Sequence, residues 1–349
     1  MSERLSTTPD AAILAVDGGN SKTDVALFAA DGRLLAALRG PTTSHQQVGL
    51  QVGIDRLADL VAQARTQAGL APDAVLPLIG VHALAGADTP ADDRRLLRAI
   101  AAQRLARTDL IVNDAFAPIR AGSEQGWGVA LICGSGVNAA GIAPDGRRAR
   151  LAALGPISGD WGGGGDIGLS ALGAAVRARD GRGSRSSLET LVPAQFGYGR
   201  PIDLTRAVEV GTIPQGRLRE LSPVVFRAAA EGDAVARSIL DRQAYELVQM
   251  ASAIIRRLSL TRRRPDVVLA GGVFQARDPV FETRIREGVV AVAPGATVHR
   301  ATAVPVLGAA LLAHDWLAQA DLPAGMEPAE RDSAEGEIRT SLGAWRPSP

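Results

Sequence analysis

Two segments of this chain repeat one arrangement of apolar strands and glycine-rich turns, and this repetition constrains the fold more than any other feature. They are residues 13–37, ILAVDGGNSKTDVALFAADGRLLAA, and residues 128–152, GVALICGSGVNAAGIAPDGRRARLA. Each runs through a strand, a Gly-rich turn, a second strand, an Asp-Gly-Arg turn and a third strand, which is the pattern of a β-meander. We interpret the two meanders as an internal duplication; the alternative is that two unrelated meanders occur in one chain.

Helical periodicity follows each meander, so strands alternate with helices and the predicted fold class is α/β. Thr89 and Pro90 are a favourable helix start, because Thr caps free backbone amides and proline fits the first helical position. Asp233 is expected to cap a long helix in the same way. The elements predicted outside the meanders are helices near 48–68, 90–105, 234–258, 278–292 and 306–319, and strands near 76–81, 110–112, 267–270 and 297–299.

The chain length and the placement of these elements predict two domains. At about 100–200 residues per domain, a length of 349 residues corresponds to two. We assign residues 11–115 to a first lobe, completed by a helix over about 306–320, and residues 116–305 to a second lobe. Residues 321–349 are rich in Pro, Glu, Ser and Gly without periodicity, so we expect a mobile tail there.

Composition excludes several classes of protein. The 38 basic and 37 acidic residues leave a net charge of +1, which predicts no nucleic-acid partner and no anionic membrane partner. The single cysteine, Cys133, rules out a disulfide framework and a cysteine-based zinc or iron–sulfur site within one chain. Residues 1–10 are polar and no apolar run reaches the roughly 20 residues of a membrane helix, so we expect a cytoplasmic protein.

The turn in the first meander has the composition of a phosphate-binding loop. Glycines let backbone amides approach an anion, and small polar side chains add donors. The loop is not a Walker A motif, because Ser21 rather than Gly precedes Lys22, the chain's single lysine. Asp17, at the end of the first strand, is a candidate Mg²⁺ residue acting through water. The candidate ATP-binding residues of this loop are Gly18, Gly19, Asn20, Ser21, Lys22 and Thr23.

Two further glycine motifs are candidate nucleotide contacts. The turn of the second meander contains Gly134, Ser135, Gly136 and Asn138, and Gly271-Gly272-Val273 follows a predicted strand. The turn of the second meander departs from the G-x-G-x-x-G dinucleotide fingerprint, since Ala139 stands at its last position. Taken singly, each loop is equally an ordinary tight turn.

The motifs DGGNSKTD, CGSGVN and LAGGVF resemble the two phosphate motifs and the adenosine motif of the actin/hexokinase/Hsp70 superfamily. Within it the chain, over about residues 13–317, is similar to the BadF/BadG/BcrA/BcrD ATPase family, which includes the N-acetylglucosamine kinases. The resemblance implies a duplicated ribonuclease-H-like, actin/hexokinase-type fold of two lobes, with ATP and Mg²⁺ bound in an inter-lobe cleft. It also implies an ATP-dependent kinase acting on a small-molecule sugar, most simply N-acetylglucosamine. Related kinases are often dimers, so a homodimer is one candidate assembly.

The resemblance also assigns roles to single residues. Asp114, in the pair Asn113-Asp114, matches the catalytic base that takes the proton from the sugar hydroxyl; the alternative is a helix cap. The residues that match substrate contacts, apart from Asp114 itself, are Ser44, His45, Gly86, Asp88, Asn113, Ser135, Gly159 and Asp160.

Departures from the family pattern leave the sugar open. Ala85 stands where the family's Ser-Gly-Gly-Asp segment has Ser, and Leu154 stands where the eukaryotic kinases have a Trp near the sugar. Trp161 lies nearby, before four glycines, residues 162–165, that indicate either flexibility or a close ligand. Glucosamine, N-acetylmuramic acid or another hexose is therefore an alternative substrate. Two other functions stay open: an ATPase that drives a partner protein, and a nucleotide- or sugar-binding protein without catalysis.

Overall fold

The computed structural model describes residues 11–71, 73–322 and 327–346. Within these ranges the chain forms two compact units: unit 1 combines the residues up to Gly126 with those from Ala301 onward, and unit 2 is Trp127–Arg300. Residues 116–126 and 301–305 thus lie in unit 1, not in the second lobe to which we assigned them. The reason is a close helix contact, since a Cβ at Gly308 would overlap the backbone of Ala117. Only glycine lets these two segments pack together.

Each unit contains, in its described residues, one five-stranded sheet. The strands of unit 1 are β1 (Ile13–Gly18), β2 (Lys22–Phe28), β3 (Leu34–Pro41), β4 (Ile79–Leu84) and β5 (Thr108–Asn113), in the order β3-β2-β1-β4-β5. Those of unit 2 are β6 (Gly128–Cys133), β7 (Val137–Ile142), β8 (Arg148–Arg150), β9 (Asp266–Ala270) and β10 (Thr297–Arg300), in the order β10-β9-β6-β7-β8.

The helices follow the strands closely in both units. They are α1 (His45–Val48), α2 (Leu50–Gln67), α3 (Pro90–Ala101), α4 (Ala117–Gly122), α5 (Gly164–Asp180), α6 (Leu188–Ala194), α7 (Pro201–Glu209), α8 (Ser222–Ala230), α9 (Ala234–Arg257), α10 (Pro279–Val292), α11 (Pro305–Gln319) and α12 (Pro328–Ala344). The predicted caps are confirmed: Thr89 forms a capping box with Asp92 at the start of α3, and Asp233 accepts from the first amides of α9.

The internal duplication is confirmed by the topology. Read from the third strand of each meander, both sheets have the same order, with an antiparallel meander followed by two parallel strands. The Asp-Gly-Arg turns also match, because the Oδ1 atoms of Asp31 and Asp145 each accept from the backbone amide of the following Arg at 3.1 Å. Two unrelated meanders would not be expected to share both the sheet order and the turn geometry.

The two sheets are covered by helices that supply the core of each unit. In unit 1 the apolar side chains of α2 and α3 pack on one face of the sheet, and α11 covers β1 and β4. In unit 2 the buried faces of α5, α8, α9 and α10 surround the sheet residues. Burial of this kind stabilises each unit by about 25 cal/mol per Å² of apolar surface.

The prediction of a mobile tail over residues 321–349 is wrong for most of that segment. Residues 328–344 form α12, whose residues Ala334, Ile338 and Leu342 are at most 1% exposed. Its anchor is Arg120 of α4, which forms bidentate ion pairs with Asp315 of α11 and Glu335 of α12 at 2.7–3.1 Å. Apolar residues four apart on a polar helix are a weak sequence signal, and their burial depends on distant partners. Residues 323–326 and 347–349 of the expected tail lie outside the described residues.

Among the described residues, no helix combines the length and the apolar character needed to cross a lipid bilayer. The polar N-terminal segment, residues 1–10, on which the expected cytoplasmic location partly rests, lies outside the described residues.

Candidate active site

The candidate catalytic residues of unit 1 meet at one edge of its sheet. Gly18 of β1, Leu84 of β4 and Asn113 of β5 are in register in three parallel strands. The segments that follow these strands therefore leave the sheet side by side at the carboxyl edge, where ligands bind in parallel α/β sheets. This topology brings the first glycine loop, residues 85–88 and Asp114 together.

The first glycine loop is held by the segment after β3. Thr42 Oγ1 donates to the Gly19 carbonyl at 2.8 Å, and Ser44 Oγ donates to Asn20 Oδ1 at 2.7 Å. The buried Thr23 shares a hydrogen bond of 2.9 Å with Thr43. Ser44, a candidate sugar contact, is therefore linked directly to Asn20, a candidate phosphate contact.

An ion pair fixes the start of β2 beneath this loop. Arg39 donates two hydrogen bonds to Asp24, of 2.7 and 2.8 Å, and the Asp24 carboxylate is fully buried. A bidentate pair of this kind holds both side chains in one geometry. Lys22, two residues earlier, is exposed, so its ammonium is available to an anion at the loop.

Asp17 and Asp114 form an electrostatically strained pair of carboxyl groups. Burial, followed by the charges of Asp114 and Asp24, raises the pKa of Asp17 to about 8, although Lys22 and Arg39 oppose the shift. Burial and the charge of Asp88 raise the pKa of Asp114 to about 6. A divalent cation would relieve this repulsion and favour the ionised forms, so the oxygen donors present fit Mg²⁺.

A network of hydrogen bonds around Asn113 and Asp88 positions the backbone of Asp114. The Asn113 amide donates to Asp88 Oδ1 at 3.0 Å, and Asn113 Oδ1 accepts from the Ala115 amide at 3.1 Å. Gln46 donates to the other oxygen of Asp88 at 3.1 Å. Asn113 is thus the cap of the 3-10 helix Asp114–Phe116.

His45 and Gly86 lie against each other beside this network. Gly86 has φ +83°, and a Cβ on it would come within 2.6 Å of His45 Cε1. Among the described residues, the buried His45 Nδ1 has no hydrogen-bond partner. The buried Ala85 lies next to Ser44 and His45 in a small cavity whose other lining includes apolar side chains of α2 and α3.

In unit 2, the four consecutive glycines hold the second glycine loop. The amides of Gly164 and Gly165, which begin α5, donate to the carbonyls of Gly134 and Ser135 at 2.8 and 3.0 Å. A Cβ on Gly163 would overlap the backbone of Gly136. Gly163 is therefore needed because two backbone segments touch there, which differs from the flexibility or close ligand expected from the sequence.

The third glycine motif lies next to the second loop. β6 and β9 are parallel neighbours in which Ile132 is aligned with Ala270. Gly271, which follows β9, packs against the Cys133 backbone so closely that a Cβ would overlap it. Gly271 and Gly272 are exposed, whereas the Val273 side chain is buried in the core of unit 2. Any ligand contact at Val273 is therefore made by its backbone.

Gly159 and Asp160 lie in the loop that leads to the glycine run. Gly159 is an exposed residue with φ +83° that ends the 3-10 helix Gly155–Ser158. The half-buried Asp160 carboxylate accepts from the Ser158 hydroxyl, and its backbone amide donates to the Gly155 carbonyl at 3.1 Å. The loop is thus closed on itself by local hydrogen bonds.

Another cluster with metal-ligand chemistry serves a different purpose. His314, Asp315 and Glu335 bring their donor atoms within 4.8 Å of one another in unit 1. Arg120 already occupies both carboxylates, and it lowers the pKa of Glu335 to about 2. Because the guanidinium neutralises these oxygens, the cluster stabilises the packing of α12 and is a poor metal site.

Sequence reasoning missed several residues that support the site: Asp24, Arg39, Thr42, Gln46 and Gln243. The polar run Thr42–Gln47, directly after an apolar strand, was an available signal for two of them. Gln243 had none, because it lies in the middle of a long helix.

Two curated proteins are similar to this chain over most of its length. The chain is 29% identical over 263 residues to the N-acetylmuramic acid/N-acetylglucosamine kinase of Clostridium acetobutylicum, covering 75% of this chain and 85% of that protein. It is 26% identical over 314 residues to the N-acetyl-D-glucosamine kinase of Dictyostelium discoideum, covering 86% and 97%.

Solved structures share the fold. A protein from Chromobacterium violaceum described as a candidate N-acetylglucosamine kinase superposes with a TM-score of 0.67 at 23% identity, over 88% of this chain and 99% of that one. A ROK family glucokinase from Streptomyces griseus, solved with glucose and AMPPNP, gives 0.53 at 18% identity, over 87% and 99%. Residues 14–313 match the BadF/BadG/BcrA/BcrD ATPase family, and the chain belongs to that family.

Proposed function

We propose that this protein is an ATP-dependent sugar kinase that transfers the γ-phosphate of ATP to a hydroxyl of an amino sugar, most simply N-acetylglucosamine. The observation that carries the proposal is the pairing of Asp114 with Asp17 at the carboxyl edge of the unit 1 sheet. Phosphoryl transfer needs a base that faces the incoming hydroxyl, and a second carboxylate suited to a metal-bound phosphate. The names of the two curated relatives support the substrate class.

Asp114 acts as the general base in this proposal. It accepts the proton of the attacking hydroxyl as the sugar oxygen bonds to the γ-phosphorus and the bond from that phosphorus to the β–γ bridging oxygen breaks, releasing ADP. With a pKa of about 6, Asp114 is mostly ionised at neutral pH and still basic enough to accept the proton. Asn113 and Asp88 hold its backbone in place.

The two glycine loops and the third glycine motif bind the nucleotide. Exposed backbone amides and the Lys22 ammonium suit the phosphates, and the exposed Gly271 and Gly272 let an adenosine lie against the backbone. Asp17 would hold Mg²⁺ through water, and the bound ion would neutralise charge that develops on the phosphates. The proposed ATP-binding residues are Gly18, Gly19, Asn20, Ser21, Lys22, Thr23, Gly134, Ser135, Gly136, Asn138, Gly271, Gly272 and Val273.

The sugar is bound by polar groups near Asp114. Ser44, His45 and Asp88 lie within segments that hydrogen bonds to neighbouring side chains hold in place, and a site held in this way lowers the entropic cost of binding. The free Nδ1 of His45 suits a sugar hydroxyl or an amide. The remaining proposed substrate contacts are Gly86, Asn113, Ser135, Gly159 and Asp160.

The test is release of ADP from Mg·ATP with a panel of acceptors: N-acetylglucosamine, glucosamine, N-acetylmannosamine, N-acetylmuramic acid, glucose and water. Strong stimulation by an amino sugar supports the proposal and identifies the substrate. Equal stimulation by glucose would replace it with a general hexose kinase. ADP release at the level of the water control in every tube contradicts it and favours an ATPase that drives a partner protein.

A further inference from the structure

Helix α9 contacts the glycine run, residues 162–165, which lies next to the second glycine loop. Gln243 is fully buried in α9, and its Oε1 accepts from the Gly163 amide at 2.7 Å. One residue earlier, the Arg242 guanidinium lies 3.9 Å from the centroid of the Trp161 ring, a close cation–π contact. Two adjacent residues of α9 thus hold the backbone and the aromatic ring of one short segment.

The fit between Gln243 and this segment depends on glycine. A Cβ on Gly162 would lie 2.6 Å from both terminal atoms of the Gln243 amide, so the amide lies flat against the backbone. The Gly162 amide itself donates to Asp166 Oδ2 at 2.7 Å. The backbone from Trp161 to Gly163 therefore has little freedom to shift while Gln243 is in place.

The segment in turn determines the position of the second glycine loop. Gly163 lies directly against Gly136, and the next two amides donate to the carbonyls of Gly134 and Ser135. The four amides from Gly162 to Gly165 are consequently all occupied by protein acceptors, and none of them is left to bind a phosphate. The start of α5 therefore supports the second glycine loop and does not itself contact an anion through these amides.

We propose that Gln243 and Arg242 are positioning residues for nucleotide binding, acting through the Trp161–Gly163 segment on the conformation of residues 134–138. The inference rests on the proposed function only in taking residues 134–138 as a phosphate loop. Neither residue needs to touch the nucleotide. Holding a loop in its bound geometry lowers the cost of binding, so loosening it weakens the affinity for the nucleotide and leaves the sugar contacts of unit 1 unchanged.

One property of Gln243 allows a sharp test. Among the described residues its buried Nε2 has no hydrogen-bond partner, which costs free energy in the folded state. Gln243→Met removes this orphan donor along with the acceptor for Gly163, at similar side-chain volume. The two effects on stability oppose each other, so the variant is expected to fold with a melting temperature close to that of the unchanged protein.

The experiment measures the Kd of ADP and of a non-hydrolysable ATP analogue by titration calorimetry, together with the melting temperature. We expect Gln243→Met to raise the nucleotide Kd about ten-fold, the factor that loss of one well-placed hydrogen bond produces. The exposed Arg242→Ala should raise it by about three-fold, and Arg242→Lys should restore less than the full affinity because a Lys does not stack as a plane.

Ser252→Ala on the same helix is the matched control, because the Ser252 hydroxyl donates to the Val248 carbonyl of its own helix. It should leave the nucleotide Kd unchanged. The inference is overturned if the Gln243→Met protein binds nucleotide with the Kd of the wild-type protein. A lowered melting temperature together with an unchanged Kd also overturns it, because Gln243 would then be a purely structural residue. If the wild-type protein binds no adenine nucleotide, the proposed function itself is overturned, and this inference with it.

Discussion

The Asn113 side-chain amide donates to the Asp88 carboxylate across 3.0 Å, and this bond holds a second negative charge beside Asp114. The charge of Asp88 is the largest cause, after burial, of the raised pKa of Asp114. Asp88 thus contributes to the basicity of the group that we propose as the catalytic base. The first two predictions concern Asp88 and Asp114.

Activity should depend on the ionisation of Asp114. Since its pKa is raised to about 6, kcat/KM for the sugar should fall about ten-fold per pH unit below that value and level off above it. Asp88→Asn removes the like charge and keeps an oxygen for the Asn113 amide, so the acidic limb should move to lower pH. The exposed Asp59→Asn is the control and should not move it. The measurement is a pH profile of each protein; an unmoved limb in Asp88→Asn would show that Asp88 does not tune the base.

Removing the base should separate chemistry from binding. Asp114→Asn should lower kcat by about 10²–10⁴-fold, the usual contribution of a general base. The Kd of ATP should stay the same or become tighter, because a buried negative charge near the phosphates is removed. Single-turnover kinetics with calorimetry checks both quantities. Full activity in this variant would exclude Asp114 as the base.

Asp17 should make the free protein less stable as the pH rises. Its folded pKa of about 8 lies above the ordinary value of 3.8, so between these values the unfolded chain loses a proton that the folded protein keeps, and the free energy of unfolding falls. Asp17→Asn should therefore stabilise the protein, slightly near pH 4 and most above pH 8, while abolishing Mg²⁺-dependent activity. Urea unfolding in chelator across this range tests the sign; parallel curves for both proteins would contradict it.

The C-terminal helix should contribute to the stability of unit 1. Ile338→Ala empties a fully buried position on α12 and should lower the free energy of unfolding by about 2–5 kcal/mol. Glu337→Ala, one residue earlier on the exposed face, should change it by less than about 0.5 kcal/mol. Denaturant unfolding of the two variants decides the question, since a mobile tail would leave both unchanged.

Gly163, the N-cap of α5, and Gly173 within that helix should respond in opposite directions to the same substitution. Gly163→Ala meets the Gly136 backbone and a φ of +85°, and should cost at least about 2 kcal/mol. Gly173→Ala enters open space on an exposed helical turn and should stabilise the protein by about 0.5–1 kcal/mol. Thermal unfolding of both variants measures the contrast; a tolerated Gly163→Ala would mean that the glycine run is not in tight contact with the second loop.

Local patterns in the sequence were enough for the framework of this protein. The meanders, the Asp-Gly-Arg turns and the caps at Thr89 and Asp233 follow from strand alternation, turn chemistry and capping, all of which act over a few residues. The position of Asp114 followed from the resemblance to the family and from its place directly after a predicted strand. Register between parallel strands then brought it to the same edge as Asp17.

Only the tertiary structure decided what surrounds these groups. The raised pKa values of Asp17 and Asp114, the bond between Gln243 and Gly163 across 80 positions, and the burial of α12 all depend on contacts between residues far apart in the sequence. Desolvation and close packing are properties of the assembled neighbourhood, so a residue's own sequence context does not contain them. The glycine run indicated flexibility or a close ligand in the sequence, whereas in the fold its residues Gly163 to Gly165 lie where two backbone segments meet.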